Sequence, residues 1–196
     1  TAGQSGYLFY SHSGNANWYV LYKVLYPTGN PPRLRGKQMA SAIYYITPLG
    51  SQLGGGQGLE SGGSVCRTAP IVRDGKMFIA HSTGNTTNPT QGASAKYVIV
   101  DLNTPAVIEE AELGALNYFY IYPSLTVDEN QNIGMTFTRT ATTEYAGAYF
   151  STRKAGEQGL SPSTAVQVGL GNYQQVASGR NRWGDYMAIG LDPANN

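Results

Sequence analysis

The sequence predicts an all-β fold, on three observations. Short runs rich in Val, Ile, Tyr and Phe recur along the 196 residues, and none holds an apolar helical period for three turns. Gly (25) and Tyr (15) are abundant while charged residues are only 13%, against about a quarter in ordinary soluble domains, a mix suited to short strands and tight turns. Finally, the runs repeat, which narrows all-β to one architecture.

Taken in order, YLFYSH (7–12) and NWYVLYKVLY (17–26) are aromatic and β-branched, and MASAIYYI (39–46) is a weaker strand. APIVR (69–73) and KMFIAH (76–81) flank Asp74-Gly75, a strong hairpin turn. YVIVDL (97–102) follows. Residues 105–116 contain the helix formers Glu109, Glu110, Ala111 and Leu113. Ala106-Val107-Ile108 enters that stretch with β character, so 107–113 is read as strand. The remaining strands are 118–127, 133–139, 145–153, 165–170 and 185–191.

Three of these runs share one shape, an apolar strand ending on Asp: APIVRD, YPSLTVD and YMAIGLD, recurring at intervals of about 54 to 64 residues. LFYSHSGN also echoes MFIAHSTGN, with His12 over His81. Four antiparallel strands at this period mark a β-propeller. The chain then divides into a partial blade at 1–60, blades at 67–113 and 118–171, and the first strand of a next blade at 183–193. Two full blades plus parts of others imply either a fragment of a longer propeller or half of a six-bladed ring. The strand edges must close or pair, because an open sheet edge invites aggregation. Thr1 is not a start methionine, and the chain is expected to be mature, trimmed or part of a longer one.

Net charge is +1, so bulk electrostatics predict no nucleic-acid or acidic-membrane partner, and no apolar run approaches the roughly 20 residues of a membrane helix. The cluster Arg33, Arg35, Lys37 follows Pro31-Pro32 and reads as a solvated loop. Cys66 is the only cysteine, so no intrachain disulfide forms. Asn85-Thr86-Thr87 is a glycosylation sequon in a loop, and the glycine-rich stretch 53–63 reads as a flexible surface loop.

YPSLTVDENQNIGMTFTRTATTEYAGAYFSTR, followed by GRNRWGDYMAIGLDP, resembles a group of secreted, mostly bacterial β-propeller proteins of sialidase-like fold. ESGGSVCRTAPIVRDGKMFIAHS resembles their preceding blade, so the resemblance covers residues 59–193. It implies sialidase-like four-stranded blades and a secreted or cell-surface location. Sialidases bind a carboxylate with three arginines and use a Tyr–Glu pair and an Asp. Their Ser-x-Asp-x-Gly-x-x-Trp box and Arg-Ile-Pro motif do not occur in this chain.

The densest functional cluster is Arg180, Arg182, Trp183, Asp185 and Tyr186, with Arg67 entering another innermost strand. Arginine offers a bidentate fork for a carboxylate or phosphate, and Trp and Tyr offer faces on which a sugar stacks. The competing reading packs Trp183 between blades and pairs an arginine with Asp185. No catalytic residue is assigned. His12 and His81 are expected to play one structural role twice rather than to bind metal. Asp128, Asn130 and Asn132 alternate as calcium ligands do, but the loop lacks the EF-hand Gly and Glu, leaving a polar hairpin with at most weak calcium affinity. No other cofactor is expected. The function so expected is an extracellular non-catalytic module that binds carbohydrate or another protein chain, or assembles as a homo-oligomer or with the remainder of a longer chain. The alternative is a sialidase-like glycoside hydrolase or lyase with its pocket around residues 180–186.

Overall fold

A computed structural model describes residues 6–26 and 30–194. These residues form strands and no helices, so none of them forms a helix long and apolar enough to cross a membrane. The first sheet is the antiparallel meander β1 (Gly6–Ser11), β2 (Ala16–Leu25) and β3 (Arg33–Tyr44). A second meander joins β4 (Ile71–Arg73), β5 (Lys76–Gly84), β6 (Ala93–Asp101) and β7 (Ala106–Leu113). A third joins β8 (Tyr118–Val127), β9 (Ile133–Ala141), β10 (Glu144–Arg153) and β11 (Thr164–Gln167). One parallel bridge, Ala93 to Phe119, links the second and third meanders into a continuous eight-stranded sheet. A small ladder of β12 (Val176–Ala177) and β13 (Arg180–Asn181) follows.

Packing explains why the second meander reads as continuously apolar. Met77, Ile79, Val98 and Val100 project from one face of β5 and β6 onto Tyr19, Leu21, Met39 and Tyr44 of the first sheet. Phe78, Ala80, Tyr97 and Ile99 project from the other face onto Tyr120, Leu125, Met135 and Phe137 of the third. A sheet covered on both sides loses the alternation of apolar and polar residues. Buried ion pairs act both within a sheet, between β6 and β7, and between layers. Lys96 Nζ lies 2.9 Å from Glu110, and Arg153 pairs with Glu109 across the second interface. Asp74 and Gly75 both adopt positive φ (49° and 72°), the paired left-handed turn that the Asp-Gly step favours.

Several expectations need correction. Residues 185–191 form no ladder, because no strand among the described residues pairs with them. Burial nevertheless alternates residue by residue from Asn181 to Leu191, as in a strand with one covered face. Arg33, Arg35 and Lys37 are not loop residues but open β3, paired with β2. The stretch 105–116 does contain a strand, β7. The glycine-rich stretch is pinned. Leu59 is fully buried and bridges Gly50, and Leu53 N–H donates to the Glu144 carbonyl at 3.0 Å. Asn85 of the sequon is buried, its Oδ1 accepting from the Thr87 amide at 3.0 Å, so the folded chain does not present it to a glycosylating enzyme.

Candidate functional site

The predicted site residues converge on one corner of the molecule. It is built by the start of residues 181–191, the middle of β8 and the segment 60–68. Asn181 places the first of these. Its fully buried side chain donates to the carbonyls of Gln57 and Tyr173, each at 2.9 Å, and accepts from the Gln175 amide at 3.1 Å. Glu60 N–H donates to the Asn181 carbonyl at 3.0 Å. The glycine-rich loop and the 173–181 loop are thereby locked together, although some 120 residues separate them (the Glu60–Arg180 spacing).

Charges in this corner are largely paired. Arg180 forms a two-pronged salt bridge with Glu60, with Nη2 to Oε2 at 2.8 Å, and Arg182 pairs with Asp185. Hydrogen bonding to Arg180 holds the Glu60 carboxyl below its ordinary range. Both arginines remain 60% exposed, so neither pair is sealed inside a packing interface. Arg67 donates through Nε and Nη2 to the Gly62 carbonyl at 2.9 and 2.6 Å, and its guanidinium lies 5.9 Å from the Tyr122 ring centroid. A side chain at Gly62 (φ 77°) would meet both Arg67 and Tyr122 at 2.6 Å, which is why glycine sits there.

Arg67, Tyr122, Asp185 and Tyr186 line one small cavity with Ser82 and His81. Its volume of about 10 Å³ holds one water at most, so a sugar would rest on its rim. Two non-glycine residues here are held in the left-handed region, Tyr122 (φ 53°), which precedes Pro123, and Asp185 (φ 85°). Such conformations cost on the order of 1–3 kcal/mol and concentrate at functional sites. The Tyr122 amide reaches Ser82 Oγ at 3.2 Å, and burial raises the Tyr122 phenol against the opposing pull of Arg67.

Trp183 sits apart from the charges. It packs with Met187 against Phe119, Ile121 and Tyr122, donates to Thr138 Oγ1 at 3.1 Å, and meets Tyr173 edge-on. It is half-buried, and with Tyr173 it also lines a separate cleft of about 590 Å³. Sequence reasoning missed Tyr122 as a site residue. Its signal was a Tyr-Pro step inside an otherwise regular strand.

The two histidines do different jobs, and His81 stands inside β5 while His12 follows the end of β1. His81 is buried. Its Nδ1 faces the Ser82 carbonyl at 2.8 Å, which can only accept, so Nδ1 carries the proton and Nε2 accepts from the Tyr19 hydroxyl at 2.8 Å. His12 is partly exposed and accepts from the Gly14 amide at 3.0 Å. Among the described residues, no three His, Cys, Asp or Glu are grouped to hold a metal ion. In the Asp128 hairpin both carboxylate oxygens accept from Asn132, at 2.8 and 2.7 Å. Cys66 donates to the Thr68 carbonyl, and burial pushes its thiol up to about 11. No protein-family model, curated protein or solved structure matches this chain.

Proposed function

We propose that this is an extracellular, non-catalytic β-propeller module whose role is binding and assembly. The observation that carries this reading is the edge at residues 181–191, where burial alternates as in a strand while residues 183–191 have no ladder partner. In this reading the two four-stranded meanders are blades. Residues 183–191 are the innermost strand of a third blade, and β1–β3 are three strands of a blade without its innermost one.

The two incomplete parts are complementary. β1 ends the order of its sheet, and Leu8, Tyr10 and Leu34 stand exposed on the face of that sheet turned away from the core. At the other end of the stack, Val166, Val168 and Leu170 are exposed. Strand addition between residues 183–191 of one copy and β1 of another makes each split blade whole, and two copies close a six-bladed ring. The resemblance to secreted sialidase-like propellers supports the extracellular location. The rim around Arg182 and Tyr186 is then the surface offered to carbohydrate or to another protein chain.

Light scattering on the purified chain, with its intact mass, tests the assembly. A 21.0 kDa chain that runs as a dimer is expected. A stable monodisperse monomer overturns it. A native mass well above 21.0 kDa would mean that further strands of the same chain complete the blades.

The hydrolase reading has its own support, because Tyr122, Glu60, Arg67, Arg182 and Asp185 all act electrostatically on one corner. Against it, Glu60 and Asp185 are each bound to an arginine and the cavity holds one water. Release of a fluorophore from an aryl sialoside, lost in Glu60→Gln, decides for that reading.

A further inference from the structure

We propose that the cleft between the first and second sheets binds a small organic anion, with Lys23, Arg35 and Lys37 taking a phosphate or sulfate ester and Tyr7, Leu102 and Pro105 holding its apolar body.

The placement follows from strand register. Tyr19 pairs with Met39 and Leu21 with Lys37, and Tyr19, Met39 and Leu21 are buried against the second sheet. Lys23 lies directly across from Arg35. Side chains alternate along a strand, so Arg33, Arg35, Lys37 and Lys23 all share that core-directed face. The second sheet ends there at the β6–β7 turn, and the ends of β2 and β3 run past it. The overhang opens a cleft of about 450 Å³ between the cations and Leu102, Asn103 and Pro105. That volume falls within the range of small-ligand sites.

No ion pair among the described residues neutralises this cluster. Among the described residues, no carboxylate lies within 4.0 Å of Lys23, Arg33, Arg35 or Lys37. Lys23 rests only over the Tyr7 ring, at 5.8 Å. The carboxylate of the adjoining turn, Asp101, is engaged by Thr104 Oγ1 at 2.7 Å and by the Asn103 amide at 2.8 Å. Like charges placed directly opposite on neighbouring strands destabilise a sheet. Lys96, Arg139 and Arg153 have carboxylate partners, and Lys76 donates to the Gln131 side-chain oxygen at 2.7 Å. An anionic ester supplies what is missing here, a sulfate ester with one charge or a phosphate monoester with up to two. Arg35 offers a planar fork and the lysines offer point charges. The cleft lies within one copy and does not involve residues 183–191, so its test is independent of the assembly reading.

Calorimetric titration at low ionic strength with phenyl phosphate, phenyl sulfate, inorganic phosphate and inorganic sulfate examines it. Saturable binding of the phenyl esters is expected, weakening as salt is added. Phenyl phosphate should bind more tightly as pH rises through its second ionisation near 6, whereas phenyl sulfate should not, which separates the two headgroups. Lys23→Gln with Arg35→Gln should weaken binding by about tenfold or more. Without ligand, that variant should melt at or above the parent temperature, because repulsion has been removed. Lys37→Gln, at an exposed position, provides a milder variant with a smaller loss. Absence of saturable binding by all four probes overturns the proposal, as does unchanged affinity in both variants.

Discussion

His81 shows how one buried side chain ties the fold to pH. Burial, together with the nearby Lys96 charge, lowers its pKa to about 4, against the Ser82 carbonyl, which favours the charged form. Tyr19 and Tyr44 enclose its ring. The unfolded chain takes up a proton near 6.5, so between 6.5 and about 4 the unfolded state binds more protons than the folded state. Stability from this site is therefore complete above pH 6.5 and lost progressively down to about pH 4. The loss is on the order of 3 kcal/mol. Denaturant unfolding measured from pH 7 to pH 4 should show it, and His81→Gln should flatten that part of the profile. The sequence placed this histidine at a strand end with a structural role shared with His12, whereas it stands inside β5. Its environment depends on Tyr19 and Tyr44, which come from another sheet, so no local pattern could reveal it.

At the scale of elements, the β12–β13 ladder is two residues long on each strand and cannot stand alone. Asn181 holds it through three hydrogen bonds to backbone groups. Asn181→Ala leaves buried partners unsatisfied and should cost about 2–3 kcal/mol, read as a shift of the denaturant midpoint. Because Asn181 also fixes Glu60 beside Arg180, the same variant should loosen that salt bridge, visible as broadened backbone resonances from 57 to 60. The strands that pair within meanders were legible because each has a hairpin neighbour and an apolar face. The first half of β3 was not, since Pro31-Pro32 and three cations carry loop chemistry. Those cations are tolerated in a strand because its face there overhangs a cleft instead of a core. Residues 185–191 were legible as an alternating run, but a ladder requires a second strand, and the run does not specify one. The Arg180–Tyr186 cluster was legible as a local density of functional side chains. Its partners Glu60 and Tyr122 arrive from distant loops and strands, and only the tertiary fold unites them.

Across the whole molecule, protection is graded from the middle outward. β5, β6 and β8 are buried along nearly their full length, whereas β11 is exposed throughout and residues 183–191 belong to no ladder among the described residues. Amide hydrogen exchange should be slowest in β5, β6 and β8 and fastest in 164–167 and 183–191. In a dimer closed by strand addition the second of these fast segments should slow, while β11 stays fast. A single measurement thus reports both the internal gradient and the state of the edge.

The lone bridge between Ala93 and Phe119 also bears on how the chain is made. Every other ladder among the named strands joins segments adjacent in sequence, so each meander has all its pairing partners once its last strand leaves the ribosome. Synthesis can therefore deliver the molecule as successive finished plates, each offering the next a ready apolar wall to condense upon. A polypeptide built this way seldom has to wait for a distant segment in order to fold. The exception is the corner where Glu60 meets Arg180, which must be the last part to set.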